Sequence, residues 1–373
     1  MSNMIKLGDV ATYINGYAFK PEDRGEEGLP IIRIQDLTGN AYDLGFYNGE
    51  YPEKIEINDG DVLISWSASL GVYVWNRGKA LLNQHIFKVM FDKAEIDKNY
   101  FVYAVRQKLD EMGRKTHGAT MKHIVKKDFD ATQIPYPSLE EQSEIATNLD
   151  KVSNVIENRK QELQLLDTFI KARFVEMFGN PVSNSYELTE ATLPELGEFG
   201  RGVSKHRPRN DSILLDGKYP LIQTGDIANA GLYITSYNTT YSELGLQQSK
   251  MWNKGTLCIT IAANIAKTAI LEFDACFPDS VVGFIANERT NNIFIHYWFS
   301  FFQEILESQA PESAQKNINL KILSELKVIV PEKEKQDEFA DFVKQVDKSK
   351  VAVQKALDET QMLFDSLMQK YFA

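Results

Sequence analysis

The sequence predicts a mixed α/β (α+β) protein. Two related domains are separated by two long antiparallel coiled-coil helices, as a pseudo-two-fold internal repeat. The first observation is a junction that occurs twice: the apolar segment 134–137 leads into Glu141-Gln142, and the segment 328–331 leads into Lys335-Gln336. An apolar run that ends at proline before a polar helix start is typical of a strand followed by a helix. The second observation is that roughly 40 residues of helical periodicity follow each junction, and this repetition indicates an internal duplication.

The duplication continues backwards through both globular regions. The segment 30–36 matches 220–226, and 60–65 matches 255–260. The shared residues are strand-forming aliphatics and turn glycines, whereas the segments between them differ. Strands are predicted over 31–34 and 219–223, and helices over 98–112 and 293–307. A common frame with different loops predicts two related binding modules with different targets.

Composition restricts the protein class. The chain has 373 residues, of which 43% are hydrophobic, and its formal net charge is −11. Its length predicts more than one domain. No apolar run is long enough to cross a membrane, which predicts a cytoplasmic protein without a membrane partner. Cys258 and Cys276 stand in apolar strand-like segments and are expected to be buried thiols. The scattered histidines give no metal-binding spacing, so no metal site is expected.

Four segments follow from this organisation. The first globular domain spans 1–137, the first helix 138–178, the second domain 179–331 and the second helix 332–373. Both helices carry apolar residues at alternating steps of three and four, the pattern of a coiled-coil seam. In the first helix these residues are Ile145, Leu149, Val152, Ile156, Leu163, Leu166, Ile170 and Met177, interrupted by Arg159 and Arg173. In the second they are Phe339, Val343, Val346, Val353, Leu357, Phe364, Leu367 and Tyr371, interrupted by Lys350 and Thr360.

The chain lacks the motifs that mark common catalytic sites. It contains neither a Pro-Pro-aromatic methyltransferase segment nor a phosphate-binding Gly-x-x-x-x-Gly-Lys-Ser/Thr loop. Gly-x-Ser-x-Gly is also absent. Pro278-Asp279 is similar to the start of a nuclease metal site, but no Glu-x-Lys follows it within the next twenty residues. The sequence therefore predicts a protein without catalytic residues.

The polar and basic loop residues suit the recognition of DNA instead. Lys, Arg, Gln, Asn, Thr and His side chains contact phosphates and base edges. No segment is basic overall, but basic residues cluster around 106–127 and 201–209. For each single residue, solvation or turn capping remains an alternative. The DNA-binding candidates are Asn15, Tyr17, Lys20, Arg33, Gln35, Ser65, Lys115, Thr116, His117, Thr120, Lys122, His123, Arg201, Lys205, Arg207, Arg209, Gln223, Thr224, Asn264, Lys267, Gln315, Lys316 and Asn317.

These features together resemble a known family. The two halves, each with a polar loop, an isoleucine and an apolar-Pro junction before a long helix, are similar to the DNA-specificity subunit of Type I restriction–modification systems. The segments 264–270 and 275–282 also resemble that family. The second junction departs from the first, with Lys335 where the first has Glu141, and its loop lacks a counterpart of Gly118.

The resemblance implies a function and partners. Each globular domain is expected to be a target-recognition domain that reads one half of a split sequence in double-stranded DNA, and the helices to fix the spacer. The expected partners are two adenine methyltransferase subunits and ATP-dependent restriction subunits. No cofactor is expected on this chain; S-adenosylmethionine, ATP and Mg are expected on the partners. Two alternatives remain open: the specificity subunit of a fused restriction–methylation enzyme, and a duplicated coiled-coil scaffold that binds only proteins.

Overall fold

The computed structural model describes residues 3–39, 44–115, 124–262, 264–308 and 318–373. The chain forms two compact units: Met1–Lys160 with Lys355–Ala373, and Gln161–Gln354. Two helices of 40 residues, Leu139–Phe178 and Lys333–Phe372, contribute residues to both units. The described residues combine helix and sheet in each unit, which confirms the predicted fold class.

The first unit contains ten described strands and four short or medium helices before the first long helix. The strands are β1 (Met4–Lys6), β2 (Thr12–Asn15), β3 (Leu29–Ile32), β4 (Gly45–Tyr47), β5 (Glu56–Ile57), β6 (Val62–Ser65), β7 (Gly71–Val74), β8 (Ala80–Leu82), β9 (Ile86–Met90) and β10 (Gln133–Pro135). The helices are α1 (Leu7–Val10), α2 (Ile34–Thr38), α3 (Lys98–Lys115) and α4 (Lys126–Ala131), followed by α5 (Leu139–Phe178). Two four-stranded sheets have the orders β2-β9-β6-β7 and β4-β3-β8-β5, and β1 pairs antiparallel with β10.

The second unit repeats this plan, and one of its two main sheets has five strands instead of four. Its strands are β11 (Glu190–Thr192), β12 (Gly197–Arg201), β13 (Leu215–Leu221), β14 (Tyr233–Ile234), β15 (Thr239–Tyr241), β16 (Met251–Trp252), β17 (Leu257–Thr260), β18 (Thr268–Leu271), β19 (Ala275–Cys276), β20 (Val281–Ala286) and β21 (Lys327–Ile329). Its helices are α6 (Leu193–Leu196), α7 (Thr224–Asn229), α8 (Glu243–Gln247), α9 (Asn292–Ser308), α10 (Leu320–Glu325) and α11 (Lys333–Phe372). The sheet orders are β12-β20-β17-β18-β14 and β15-β13-β19-β16, and β11 pairs antiparallel with β21.

One local expectation was wrong in the same way in both halves. The strand predicted over 31–34 ends at Ile32, and α2 begins at Ile34. The strand predicted over 219–223 ends at Leu221, and α7 begins at Thr224. The reason is an aspartate three residues after each helix-capping position. The main-chain N–H of Arg33 donates to Asp36 Oδ2, and that of Gln223 donates to Asp226 Oδ2, both at 2.8 Å. This bond fixes the first turn of a helix and ends the strand.

Aromatic side chains of the long helices pack into the cores of the units. In the second unit, Phe174 of α5 lies 5.3 Å from Phe294 of α9 and 5.4 Å from Phe339 of α11 between ring centroids. In the first unit, Phe372 of α11 is fully buried and its ring lies 5.1 Å from that of Tyr100 in α3. Burial of aromatic rings of this size dominates the energy of such cores. The helices are therefore structural parts of both units.

Residues that interrupt the seam make ion pairs between the helices. Lys350 Nζ lies 2.6 Å from Asp167 Oδ1, and Arg173 Nη2 lies 3.3 Å from Glu338 Oε1. As the position in α5 increases, the partner position in α11 decreases, so the two helices run antiparallel in the second unit. This packing agrees with the prediction from the heptad pattern.

A buried glutamine joins the first long helix to its domain. Gln142 is fully buried although it stands in the first turn of a polar helix. Its Nε2 donates to Pro137 O at 2.9 Å, and its Oε1 accepts the main-chain N–H of Asp97 at 2.9 Å. The amide thereby connects the strand–helix junction with the segment that begins α3.

The second junction makes the same kind of contact. Gln336 is also fully buried, and its Nε2 donates to Pro331 O at 2.8 Å and to Arg289 O at 3.0 Å. Its Oε1 accepts the hydroxyl of Thr290 at 2.8 Å. A primary amide carries two N–H donors and one oxygen acceptor, so glutamine can bind the proline carbonyl and a segment of the domain at the same time.

Replacement of Gln336 by leucine is expected to destabilise the second unit by about 1–3 kcal/mol, because the buried partners lose their hydrogen bonds. Gln142→Leu is expected to do the same to the first unit. Urea unfolding of the full chain measures both. The control is Lys335→Leu, which places the same side chain on the exposed adjacent position. Equal stability losses in the control and in Gln336→Leu would contradict the anchoring role.

Candidate functional site

A loop follows the strand at one end of a sheet in each unit: β2 in the first unit and β12 in the second. The N–H of Gly16 donates to Ile86 O at 3.1 Å, and that of Gly202 donates to Val281 O at 2.8 Å. A Cβ atom at Gly16 would collide with the main-chain oxygen of Asn83, and one at Gly202 with the main-chain oxygen of Phe277. Glycine is therefore required where each loop crosses a neighbouring segment. The residues that follow, 17–20 and 203–210, are the candidate loops of the two halves.

Two arginines of the second loop and Arg201, at the end of β12, form a cluster around one aspartate. Arg201 Nε donates to the main-chain oxygen of Asp279 at 2.9 Å. Arg209 Nη2 approaches Asp279 Oδ1 to 2.6 Å as an ion pair without hydrogen-bond alignment, and Arg207 Nη2 lies 3.5 Å from Asp279 Oδ2. Arg207 Nη1 also donates to Ser204 O at 2.6 Å. The arginine side chains remain about half exposed, so their outer faces are available to a ligand.

Neutral polar residues lie beside the arginine cluster. A cavity of about 260 Å³ is lined by Arg209, Gln223 and Thr224, together with Ser204 and Tyr241. The Ser204 hydroxyl oxygen is buried and has no hydrogen-bond partner. Amide and hydroxyl groups next to arginines match the edges of bases and the phosphates of DNA.

Lys205 belongs to the same loop. Its main-chain N–H donates to Gln248 Oε1 at 2.7 Å, and that of His206 donates to the same oxygen at 3.1 Å. Asp211 closes the loop through its contact with His206 Nε2 at 3.1 Å. The main-chain N–H of Ile213 and the His206 ring lower the pKa of the Asp211 carboxyl. The structure therefore brings six predicted residues into one area of the second unit: Arg201, Lys205, Arg207, Arg209, Gln223 and Thr224.

Asn264 and Lys267 lie elsewhere in the second unit. The Thr260 hydroxyl donates to Asn264 O, and the main-chain N–H of Lys267 donates to Thr260 Oγ1 at 3.0 Å. Lys267 lines a cavity of about 310 Å³ together with Lys350 and His296. This cavity is distinct from the one beside the arginine cluster.

The candidates of the first unit are divided between surface and interior. Asn15, Tyr17, Lys20 and Gln35 are exposed. The Tyr17 ring lies 5.0 Å from that of Phe19, which lies 5.1 Å from that of Tyr47. An aromatic cluster thus takes the place that arginines occupy in the second unit.

Two candidates of the first unit are buried. Arg33 is 9% exposed, and its Nε lies 3.0 Å from Asp36 Oδ2. Ser65 is fully buried, and its hydroxyl donates to Ser69 O at 2.5 Å. In this structure both side chains support the fold of the loop region, and neither presents a surface to DNA.

The remaining candidates fall outside the described side chains. Lys115 ends α3, but its side chain is not described. Two predicted loops lie outside the described residues: Thr116, His117, Thr120, Lys122 and His123 in the first half, and Gln315, Lys316 and Asn317 in the second. Their assignment to DNA binding stays a prediction.

The two cysteines and the candidate metal ligands can be located in the described part of the chain. Cys258 and Cys276 are free and buried, and burial raises the pKa of both thiols. The prediction of buried thiols is thus confirmed. Among residues 3–39, 44–115, 124–262, 264–308 and 318–373, no group of histidine, cysteine and acidic residues could hold a metal ion. Within those ranges, no helix is long and apolar enough to span a membrane.

Asp279 is the site residue that sequence reasoning missed. The Pro278-Asp279 pair resembles only the start of a nuclease metal site, and this likeness gives no reason to place Asp279 beside the arginines. Its role depends on a contact between residues 70–78 positions apart in the chain, which no local pattern reveals. The available signal was the absence of acidic residues from 201–209, since a cluster of arginines in a folded protein commonly has an acidic partner.

Comparison with known proteins agrees with this architecture. A family model described as Type I restriction modification DNA specificity domain matches residues 2–167 and 188–360. The chain is 26% identical to the Type I restriction enzyme EcoBI specificity subunit of Escherichia coli, over 99% of this chain and 85% of the relative. It is 23% identical to the MjaVIII specificity subunit of Methanocaldococcus jannaschii, over 92% and 85%.

Solved structures share the fold. The S subunit of a Type I restriction–modification system from M. genitalium matches with a TM-score of 0.57 at 17% identity, covering 100% of this chain and 96% of that one. A chain from a structure concerning complex assembly and conformational transition of the type I system matches with a TM-score of 0.57 at 15% identity, covering 99% and 97%.

The buried His296 side chain is expected to make the stability of the second unit sensitive to acid. Thr268 Oγ1 contacts His296 Nδ1 at 2.9 Å, and burial together with nearby Lys350 lowers the pKa of His296 to about 4 from an ordinary 6.5. Between these values the unfolded chain binds more protons, so stability falls as pH decreases from 6.5 towards 4. Thermal unfolding at pH 7 and pH 5 is expected to show a smaller acid loss for His296→Asn than for the unmodified chain. An unchanged acid loss in His296→Asn would contradict the assignment.

Proposed function

The chain belongs to the Type I restriction modification DNA specificity family, and we propose that each of its two globular units reads one half of a split DNA sequence. Specificity subunits of these systems recognise DNA targets and are non-catalytic, since catalysis belongs to partner subunits. The prediction of a non-enzymatic DNA-specificity subunit is therefore confirmed. The proposal concerns the division of the target between the two units.

The observation that carries the proposal is a repeated frame with unlike loops. Both units place a loop after an obligatory glycine, Gly16 or Gly202, beside a short helix that begins after Arg33 or Gln223. In the first unit the loop carries Tyr17, Phe19 and Lys20; in the second it carries Lys205, Arg207 and Arg209. Equivalent positions with different chemistry suit two half-sites of different sequence, because base edges are distinguished by the side chains that meet them.

The long helices are proposed to bind the partner subunits. Several large apolar side chains on them are exposed: Leu165 and Phe169 on α5, and Val351, Met362 and Leu363 on α11. Leu165 and Phe169 are four residues apart and therefore lie on one face of α5, and neighbouring exposed apolar side chains of this kind favour a protein interface. The proposed partners are two adenine methyltransferase subunits and the restriction subunits, which would carry S-adenosylmethionine, ATP and Mg. The same helices are proposed to set the spacer between half-sites.

The fused restriction–methylation system remains a second assignment for the partners. It uses the same duplicated specificity design, so the genes adjacent to this one distinguish the two. Family membership favours DNA recognition over the protein-only scaffold.

Exchange of residues 179–331 for the equivalent region of a relative is expected to change one half of the methylated sequence and leave the other half intact. Methylome sequencing of cells that express the chimaera with the methyltransferase partner measures this. The matched control exchanges 1–137, which should change the opposite half. A change in both halves after either exchange would contradict the division of the target.

Lengthening both helices is expected to lengthen the spacer. Four residues inserted after Arg159 in α5, matched by four after Lys355 in α11, add roughly 6 Å of helix. This length approaches two base pairs at about 3.4 Å each. Methylation should move to sites with one or two additional spacer base pairs. The control replaces four exposed residues of the same helices without changing their length, and an unchanged spacer in an active lengthened complex would contradict the proposal.

A further inference from the structure

Asp279 contacts the arginines of a segment that itself contains no acidic residue. The segment 201–209 contains Arg201, Lys205, Arg207 and Arg209 but no acidic residue. Asp279 reaches this segment from the turn before β20, and its carboxylate contacts Arg207 and Arg209. The side chain of Asp279 is 31% exposed, and its Oδ1 is buried, so the carboxylate lies directly beneath the arginine groups that a ligand would approach.

Arg207 and Arg209 can exchange their ion pairs with Asp279 for contacts with a phosphate group. Arg207 and Arg209 are about half exposed and Asp279 is 31% exposed, so solvent partly screens these ion pairs and reduces their net contribution to stability. A phosphate oxygen offers arginine a charge-assisted hydrogen bond of at least comparable strength. Arg207 and Arg209 can therefore turn from Asp279 to a phosphate at small cost, but the uncompensated carboxylate then lies close to a second negative charge.

We propose that Asp279 is a counter-ion latch that suppresses binding of non-target DNA by the second unit. The inference rests on the proposed DNA-reading function of this unit. In the free protein, the carboxylate holds Arg207 and Arg209 and offsets their charge. On any duplex, contact with phosphates requires that these ion pairs open next to the repelling carboxylate.

The target sequence offsets this cost through neighbouring groups. Gln223 and Thr224 line the same cavity as Arg209, so a duplex that satisfies these neutral side chains also reaches the arginine. A non-target duplex meets the repulsion without that compensation. Specificity of this kind comes from an unfavourable contact with the wrong partner as well as a favourable contact with the right one.

The contact of Arg201 allows the charge to be tested separately from the backbone. Arg201 donates to the main-chain oxygen of Asp279, not to its carboxylate. Asp279→Asn therefore removes the negative charge and keeps both this bond and the side-chain shape. Asp279→Glu keeps the charge and changes only the side-chain length.

The test is a binding titration of the complex with its methyltransferase partner, using a cognate and a scrambled duplex at several salt concentrations. The cognate sequence comes from the methylome. Asp279→Asn is expected to raise affinity for the scrambled duplex by about fivefold, because one repulsive charge contact is removed. The salt slope should steepen by about one unit, and the cognate-to-scrambled ratio should fall. Asp279→Glu should retain low affinity for the scrambled duplex.

Controls separate the latch from other effects. Asp216→Asn makes the same charge change on an exposed residue of β13 and should leave the ratio unchanged. The double variant Arg207→Ala, Arg209→Ala should weaken binding to both duplexes and flatten the salt slope. Asp279 would be merely structural if Asp279→Asn weakened binding to both duplexes or left both affinities unchanged. A rise in scrambled-duplex affinity with Asp279→Glu would also overturn the latch. If the unmodified complex did not prefer its cognate duplex, the proposed function itself would fail.

Discussion

The structure depends on one type of hydrogen-bonded anchor, the buried amide at the start of each long helix. Gln142 and Gln336 bind the proline carbonyl that precedes their helix and the segment that begins the domain's main helix. Loss of a hydrogen-bond partner of a buried amide lowers the stability of the fold, because an unsatisfied polar group in a core costs free energy. Each helix therefore starts at a fixed position relative to its own domain. The loops far from this anchor can vary without disturbing it, which is the condition for a shared frame with different ligand-binding residues.

The anchors also explain which parts of the structure could be predicted from sequence. The glutamine, the proline and the heptad seam are local patterns, and the structure bears out the helices and the antiparallel packing that they predicted. The strand ends near Arg33 and Gln223 could not be placed from hydrophobicity, because a capping aspartate overrides the apolar run. The burial of Ser65 and the ion pairs of Asp279 depend on segments distant in sequence. Side chains that read a ligand are arranged by such contacts, so residue type alone selected both exposed and buried candidates.

The charge of the protein illustrates how local arrangement prevails over composition. A chain with a net charge of −11 is a poor candidate for DNA binding when its charge is considered alone. The second unit nevertheless brings three arginines together, Arg201 at the end of β12 and Arg207 and Arg209 in the loop, and the last two pair with the Asp279 carboxylate. The first unit instead has a cluster of the Tyr17, Phe19 and Tyr47 rings beside its candidate loop, with Tyr17 exposed. Two solutions on one frame indicate that the frame places few demands on the chemistry of the reading surface.

The short strand pairs β1–β10 and β11–β21 have a further consequence. In each unit, the chain enters and leaves through two antiparallel neighbours, with Met4 opposite Pro135 and Glu190 opposite Ile329. A domain whose two ends meet can be inserted, removed or joined in a different order without rebuilding its interior. Recombination within a gene of this design needs to match only two adjacent strand ends. If each domain reads its own half-site, as proposed, the transfer of a whole domain between genes would change one half of the target in a single step.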